Sequence, residues 1–214
     1  MSIEDKYVKH VYNTIANEFS NTRYRPWTCV EEFLDNIPKK SLIGDIGCGN
    51  GKNMLYRSDC HNYGCDFSQE LVKICLKKDL NVITGDVLNI PFKDNLFDYT
   101  ICIAVIHHLS TEEKREKSIQ ELIRITKPGG KIMILVWAFE QESDSRRQFL
   151  TQENFVDWKD KYKNLLGKRY YYVFKENELE GLINLNNFNN CKIIKKFYER
   201  GNHGIILEKV QISY

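Results

Sequence analysis

Apolar residues recur along this chain in two alternating patterns, which together predict a fold of helices and strands. In the first 20 residues they return every three or four positions, the spacing of an amphipathic helix. Short apolar runs bounded by turn-forming residues follow, and these predict strands. The runs span residues 42–45, 60–65, 81–84, 99–105 and 131–137. Strands that alternate with helical segments predict a mostly parallel sheet with right-handed crossovers.

Three residues predict where helices begin. Ser68 and Thr111 each precede a helical pattern and can cap it with a side-chain oxygen. Pro26 suits the first turn of a second helix that runs to about Asn36. Residues 131–137 are nearly all apolar, so this strand is predicted to be central and buried.

The last third of the chain is less regular. Residues 138–168 are polar and predict an irregular segment after the carboxyl end of the fifth strand, where folds of this kind insert substrate-binding segments. An apolar run, a short helix, a polar Asn-rich turn and an antiparallel strand pair are predicted to follow. They span residues 169–174, 178–183, 184–190, and 193–198 with 205–210.

The loop after the first strand is nearly free of side chains. Asp45 ends the strand, and glycines stand at positions 47, 49 and 51, so the backbone can approach a ligand closely. A second acid, Asp66, ends the second strand, where a carboxylate holds a ribose diol in doubly wound sheets. The nicotinamide fingerprint Gly-x-Gly-x-x-Gly is not met, because Lys52 occupies its sixth position.

Composition sets the broad class of protein. A chain of 214 residues with a net charge of +2 predicts one globular domain and does not by itself imply nucleic acid. The seven cysteines are odd in number and lack a Cys-x-x-Cys pair, which predicts a reducing compartment and no intrinsic metal site. Without an apolar leader or membrane-length apolar run, the expected location is the cytoplasm.

The pattern Asp-x-Gly-x-Gly-x-Gly at residues 45–51 resembles the first motif of class I S-adenosylmethionine methyltransferases. Residues 85–92 and 95–102 resemble later motifs of that superfamily, in the same order. The resemblance implies an α/β Rossmann-like fold with a seven-stranded, mostly parallel sheet, helices on both faces and one antiparallel strand. It also implies a single domain, 1–214, with an N-terminal helical lid at 1–37 and a substrate-side insert at 138–170.

The same resemblance implies S-adenosylmethionine as cofactor. The glycine loop would face its methionine part, Asp45 its amino group and Asp66 its ribose. Phe67 or Val87 would pack on the adenine, and Asp86 would accept a hydrogen bond from it. The full candidate set for cofactor binding is Asp45, Gly47, Cys48, Gly49, Asn50, Gly51, Asp66, Phe67, Asp86, Val87 and Ala104.

Two further motifs narrow the resemblance. Thr-Arg-Tyr-x-Pro-Trp at 22–27 and Trp-Ala-x-Glu-Gln at 137–141 resemble the eukaryotic tRNA wobble-uridine carboxymethyl methyltransferases. This resemblance implies methyl esterification of 5-carboxymethyluridine in the tRNA anticodon loop. It also implies a small zinc-binding activator subunit, which in related complexes pairs with the edge of strand three, here between Asn81 and Gly85. No membrane partner is expected.

A carboxylate nucleophile has a pKa near ~4, so it is ionised at neutral pH and needs no strong general base. A cationic or hydrogen-bonding clamp is the expected catalyst, with Arg23, His107 and His108 as candidates. The histidines could equally be packing residues, and Arg146 with Arg147 could be a solvated charge pair. The substrate-binding candidates are Arg25, Trp27, Trp137, Arg146, Arg147, Arg169 and Tyr170. The three aromatic residues among them could stack on the wobble base, and for Trp137 core packing is the stronger alternative.

Two other functions remain open at this stage. Leu-Asn-Ile-Pro-Phe at 88–92 also resembles methyltransferases that act on quinones or sterols, and a deep apolar pocket without a basic rim would favour that class. A non-catalytic scaffold with a methyltransferase fold is the third hypothesis. The intact glycine loop, together with Asp66 and Asp86, argues against it.

Overall fold

The predicted apolar runs form the strands of the main sheet in the computed structural model, which describes residues 1–185 and 190–211. The sheet strands are β1 Leu42–Ile46, β2 His61–Asp66, β3 Val82–Thr84, β4 Phe97–Ile103, β5 Thr126–Trp137, β8 Cys191–Tyr198 and β9 Asn202–Lys209. A separate hairpin consists of β6 Glu153–Lys159 and β7 Leu165–Tyr172. The α-helices are α1 His10–Ser20, α2 Thr28–Asp35, α3 Lys52–Tyr56, α4 Gln69–Leu76, α5 Glu112–Ile125 and α6 Glu178–Leu185.

The main sheet has seven strands in the order β3-β2-β1-β4-β5-β9-β8. Strands β1 to β5 are parallel, whereas β9 pairs antiparallel with both of its neighbours. The predicted fold class, with one antiparallel strand, is therefore confirmed. In such a sheet the carboxyl ends of the parallel strands meet along one edge, which is where ligands bind.

Side chains of β5 alternate between two buried faces of the sheet, as its apolar run predicts. Ile132 and Ile134 pack in the cluster that includes α5 and α6, whereas Met133 and Leu135 pack in the cluster that includes α2. Helices therefore cover both faces of the sheet, which leaves its edges for polar groups that bind ligands.

The predicted helix caps are confirmed. The Ser68 hydroxyl accepts a hydrogen bond from the Leu71 amide, and the Thr111 hydroxyl accepts one from the Lys114 amide. Pro26 was predicted to lie in the first turn of the second helix. This was wrong, because α2 begins at Thr28 and Pro26 precedes it. Most of the predicted turn at 184–190 lies outside the described residues.

The prediction of an irregular segment at 138–168 was wrong for its second half. Strand β6 alternates between exposed and partly buried residues, with Asn154, Val156 and Trp158 on the inner side. The sequence did not reveal this period of two, because the inner positions include the polar Asn154 and the outer positions include the apolar Phe155.

The N-terminal segment, residues 1–37, is fastened to the sheet by polar contacts. The Glu4 carboxylate accepts hydrogen bonds from the Ser110 amide at 2.8 Å and from the Lys114 ammonium at 2.7 Å. The Asn50 side-chain amide donates to the carbonyl oxygen of Arg23 at 2.9 Å. These contacts hold the segment against the loops that follow the parallel strands. No helix in the described part of the chain is long and apolar enough to span a membrane.

Candidate active site

A cleft of about 630 Å³ opens at the carboxyl ends of the parallel strands. Its walls are the glycine loop after β1, the ends of β2 and β4, the N-terminal segment and the inner side of β7. This position and volume are those of a small-molecule site in an open α/β sheet. The cleft brings together most of the residues predicted for the cofactor.

The glycine loop bends sharply because of where its first glycine lies. Gly47 has a φ of +75°, and a Cβ at this position would lie 2.1 Å from Cγ2 of Val105. The amides of Gly47 and Cys48 both donate to the carbonyl oxygen of Cys65, at 2.8 and 3.0 Å. Position 47 therefore requires glycine for two independent reasons, its backbone angle and the close approach of Val105.

Asp45 lies at the base of the cleft with an unsatisfied oxygen. The residue is 1% exposed, and its Oδ2 accepts a hydrogen bond from the Asn53 amide at 3.3 Å. Its Oδ1 is buried without a partner. Burial raises the pKa of Asp45 to about 7. Leaving a buried acceptor unpaired costs about 1–3 kcal/mol, so the site fits a ligand that brings a donor.

Asp66 is held at the lip of the cleft by backbone amides. Its Oδ2 accepts from the Gly49 amide at 2.8 Å and its Oδ1 from the Ser68 amide at 2.9 Å. Burial raises the pKa of Asp66, while these two hydrogen bonds oppose the shift. A carboxylate oxygen has two lone pairs, so each can still accept a hydroxyl such as that of a ribose.

The other cofactor candidates form two groups, which differ in whether the side chain or only the backbone can face the cleft. Phe67, Asp86, Val87 and Ala104 all line it. Cys48 and Asn50 line it only in part, because their side chains are engaged elsewhere. The Cys48 side chain packs in a core cluster with Cys75, and the Asn50 amide bonds the N-terminal segment. For these two residues the backbone is what can face a cofactor.

The donors and acceptors of the cleft fit S-adenosylmethionine. Asp45 offers an unpaired acceptor to an ammonium group, and Asp66 offers lone pairs to a diol. Asp86, whose Oδ1 already accepts from the Leu88 amide, lies where an adenine amino group can be received. No cluster of three potential metal-ligating side chains is present among residues 1–185 and 190–211.

The two histidines after β4 are neutral and have different partners. His107 Nδ1 accepts from the Trp137 amide at 3.0 Å, so its proton is on Nε2. His108 Nδ1 donates to the Tyr170 carbonyl at 2.7 Å, and its Nε2 accepts from the Tyr12 hydroxyl at 3.1 Å. Burial lowers the pKa of His107 well below its usual range and lowers that of His108 to about 3.

Neither histidine can therefore act as a cationic clamp at neutral pH. His108 also lines the cleft, but both of its ring nitrogens are already bonded within the protein, which leaves it no free donor or acceptor for a substrate. His107 keeps an Nε2 donor and lines the cleft. Of these two histidines, His107 is the one with a free donor for direct contact with a substrate.

Of the four arginines that line the cleft, three form no ion pair with any carboxylate in the described residues. Arg169 is 5% exposed, donates from Nη1 to the Tyr171 hydroxyl at 2.7 Å, and has a buried Nε without a partner. Arg147 and Arg23 lie near it. Burial lowers the pKa of Arg147, and the positive charges of Arg169 and Arg23 contribute to the shift. Arg169 is a buried cation without a counter-ion, which is costly, whereas Arg23 is partly exposed and Arg147 is exposed. Together the three positive charges fit an anionic ligand.

The aromatic residues of the cleft are arranged differently from the prediction. Tyr170 is fully buried outside the cleft, so it cannot stack on a base. Tyr171 lines the cleft instead and stacks on Trp137, with centroids 3.9 Å apart and planes within 6°. Sequence reasoning missed Tyr171, although alternation along a strand places it on the same side as Arg169.

Trp137 does not offer a free face to a substrate base either. Tyr171 stacks on it, and the guanidinium of Arg147 lies over the ring at 4.1 Å, too close to share a face with Tyr171. Trp137 instead positions Arg147. Trp27 lines the cleft beside Lys52, whose ammonium lies 5.1 Å from the centroid of its ring. Trp27 is the remaining stacking candidate.

Two predicted substrate arginines lie away from the centre of the site. Arg25 reaches the outer rim and forms an exposed ion pair with Glu31. Arg146 is exposed on the loop after β5 and is not among the residues that line the cleft. The structure therefore separates Arg146 from its neighbour Arg147, which the sequence alone could not do.

Comparison with known proteins places the chain in a family. A model of the methyltransferase domain matches residues 44–134. A Schizosaccharomyces pombe protein named tRNA (carboxymethyluridine(34)-5-O)-methyltransferase is 37% identical, over 96% of this chain and 97% of that protein. The chain belongs to the tRNA (carboxymethyluridine(34)-5-O)-methyltransferase family. A family member from Xenopus tropicalis is 35% identical over 98% of this chain, which spans 42% of that protein's length.

A solved structure shares the fold at low sequence identity. It is the complex between the Haloferax volcanii Trm112 methyltransferase activator and the putative methyltransferase. Its TM-score is 0.70 at 15% identity, and the match covers 97% of this chain and 99% of that chain. The family and the geometry of the cleft together identify S-adenosylmethionine as the cofactor.

We expect Gly47→Ala to abolish measurable S-adenosylmethionine binding, because the added Cβ would collide with Val105 and displace the loop. Isothermal titration calorimetry measures the effect. Gly129→Ala is the matched control, since Gly129 has a φ of +79° but no atom within 4 Å of an added Cβ. Binding by Gly47→Ala equal to that of the control would contradict this account of the loop.

We also expect the affinity for S-adenosylmethionine to increase as pH rises through 7. Asp45 has a pKa of about 7, so acidification protonates it and removes the negative charge opposite the cofactor's ammonium. Below that pH, affinity should fall by up to about tenfold per pH unit relative to Asp45→Asn, which does not titrate. Calorimetric titrations of both proteins at a series of pH values check this, since the cofactor's own ionisation affects both equally. A constant ratio of the two dissociation constants across pH 6–8 would refute the role of Asp45.

Proposed function

We propose that this chain transfers a methyl group from S-adenosylmethionine to the carboxylate of 5-carboxymethyluridine at the tRNA wobble position. The observation that carries the proposal is the group of three arginines without acidic partners beside the cofactor loop. A quinone or sterol would leave those charges uncompensated. The names of the family members support a carboxymethyluridine substrate.

The chemistry needs positioning rather than a general base. S-adenosylmethionine supplies a methyl group bonded to a positively charged sulfur. A substrate carboxylate, with a pKa near ~4, is already the nucleophile at neutral pH. What the protein must supply is alignment and the removal of water from the carboxylate. The lowered pKa values of His107 and His108 agree with this, because they make both imidazoles weak proton acceptors and no proton has to be accepted.

Arg169 is the residue best suited to hold the carboxylate. Its planar guanidinium matches the two oxygens of a carboxylate, and its buried Nε has no partner within the protein. Arg147, held over Trp137, would support the same anion. Arg23 would approach from the N-terminal segment, and the His107 Nε2–H group is available for a uracil oxygen.

The partner proposed for this chain is a small zinc-binding activator that pairs with strand β3. Three features support it. β3 is an edge strand of the sheet, so it has unpaired backbone groups for strand addition. Its Ile83 side chain is 42% exposed. The archaeal structure with the same fold contains a Trm112 activator.

Arg169→Lys should reduce kcat/KM for tRNA containing carboxymethyluridine by about 100-fold, because an ammonium cannot replace the two-pronged guanidinium. Transfer of labelled methyl to tRNA by the complex with the activator measures it. S-adenosylmethionine affinity should be unchanged. Arg200→Lys, an exposed arginine outside the cleft, is the control and should retain activity.

Failure of the unmodified complex to label tRNA that carries carboxymethyluridine would refute the proposed reaction. Equal activity of Arg169→Lys and Arg200→Lys would leave the reaction in place but refute the role of Arg169.

Ile83→Lys should prevent co-purification of the activator, because it introduces a charge into the proposed strand-pairing surface. Ile194→Lys is a close control: Ile194 is 45% exposed on β8, the strand at the opposite edge of the sheet. Affinity purification of the tagged chain from cells that express both proteins measures retention. Loss of the activator from Ile194→Lys, but not from Ile83→Lys, would assign the interface to the other edge.

A further inference from the structure

The turn of the β6–β7 hairpin is a pre-formed platform on the surface. The Asp160 carboxylate accepts hydrogen bonds from the amides of Tyr162 and Asn164, both at 2.8 Å, and from the Asn164 side chain at 2.9 Å. The Lys163 amide donates to the Asp160 carbonyl at 3.0 Å. These bonds fix the backbone of the turn, so the side chains between them are presented in a defined arrangement.

What the turn presents is an exposed aromatic ring, Tyr162, with a lysine on each side of it in the sequence. Tyr162 is 72% exposed, and the Lys161 ammonium lies 4.9 Å from the centroid of its ring. Lys161 and Lys163 are exposed and form no ion pair with any carboxylate in the described residues. Exposure of an aromatic ring to water is unfavourable. No residue of the hairpin packs on the face of the Tyr162 ring opposite Lys161. Stacking on a base with phosphates at the lysines would use all three side chains.

Two further lysines lie between the turn and the cleft end of the hairpin, on its exposed face. Lys159 and Lys168 stand on the paired strands and share one carboxylate, Asp157, at 3.8 and 3.9 Å. Arg169, the next residue on β7, lies on the opposite, buried face of the hairpin and lines the cleft. At ~3.3 Å per residue, Leu165, the first residue of β7 after the turn, lies about 13 Å along the strand from Arg169, a distance that a single nucleotide does not bridge.

The hairpin also packs against the N-terminal segment. The Trp158 ring lies 6.1 Å from that of Phe19, and the Arg169 guanidinium lies 4.7 Å from the Trp158 centroid. Phe155 contacts Tyr7 edge to face at 4.7 Å. The turn therefore keeps a fixed position relative to the cleft, as a binding surface for a second part of one ligand requires.

We propose that the hairpin turn, residues 159–168, binds tRNA outside the wobble nucleotide, with Lys161 and Lys163 on phosphates and Tyr162 stacked on an unpaired base. This inference rests on the proposed function. In this arrangement the cleft binds the modified base, and the hairpin binds the adjoining part of the same tRNA, so both surfaces contribute to its affinity.

The test uses the complex with the activator and two hairpin variants. The first is Lys161→Ala combined with Lys163→Asn, where asparagine tolerates the φ of +69° at position 163. The second is Tyr162→Ala. The control combines Lys39→Ala with Lys93→Ala, two exposed lysines near the amino ends of β1 and β4. Filter binding of tRNA across salt concentrations and steady-state methylation are measured for each.

For the lysine pair, we expect the slope of log Kd against log salt to fall by about two relative to the control. Tyr162→Ala should weaken tRNA binding by about tenfold. In both variants KM for tRNA should rise while kcat is retained, and methylation of a trinucleotide containing carboxymethyluridine should be unchanged. Calorimetry should give unaltered S-adenosylmethionine binding.

Three outcomes would overturn the proposal: tRNA affinity equal to the control, equal loss on tRNA and trinucleotide, or loss of the activator from the hairpin variants. The last would show a protein-binding surface. The proposed function fails separately, when the unmodified complex binds tRNA but transfers no methyl group. Loss of tRNA binding in the hairpin variants would then still support the hairpin as an RNA-binding surface.

Discussion

A positive charge buried without a negative partner is the constraint that organises the substrate side of this structure. Arg169 lies under the N-terminal segment, with its guanidinium against Trp158 and its Nη1 on the Tyr171 hydroxyl. A cation–π contact supplies about 0.5–2 kcal/mol, whereas taking an ion out of water costs several kcal/mol. The rest of the fold must therefore hold Arg169 in place, and an anionic ligand recovers part of that cost.

The cleft is divided electrostatically along its length. Carboxylates at the ends of β1 and β2 face the part that fits S-adenosylmethionine, whose amino group and sulfur carry positive charge. Arginines face the part that fits an anion. The two histidines after β4 lie near the arginines, and their neutrality keeps further positive charge away from the methyl donor. Burial of the two histidines therefore keeps them uncharged as well as packing their rings in the structure.

The features that the sequence predicted correctly are those set by local physics. Short apolar runs predicted the strands of the sheet, and a hydroxyl before a helix predicted the caps at Ser68 and Thr111. The glycines after β1 predicted a loop that side chains could not occupy, and Gly47 does lie too close to Val105 for a Cβ. The features it missed depend on which side of an element faces the cleft. Tyr171 rather than Tyr170 enters it, and Arg147 rather than Arg146, because the hairpin and the loop before it are oriented by contacts distant in sequence. The coverage of both faces of Trp137 depends on tertiary packing in the same way.

One side chain links the cofactor loop to the arginines. Asn50 belongs to the glycine loop, and its amide donates to the carbonyl of Arg23 and to that of Ser20, at 2.9 and 3.2 Å. The backbone of Arg23 is thus held by the loop that faces the cofactor, while its guanidinium donates to Thr22 and lines the cleft. A displacement of the glycine loop would move the anchor of this arginine. The loop that fits the methyl donor therefore also fixes part of the group that fits the acceptor, and geometry between donor and acceptor is what an ionised carboxylate nucleophile chiefly requires.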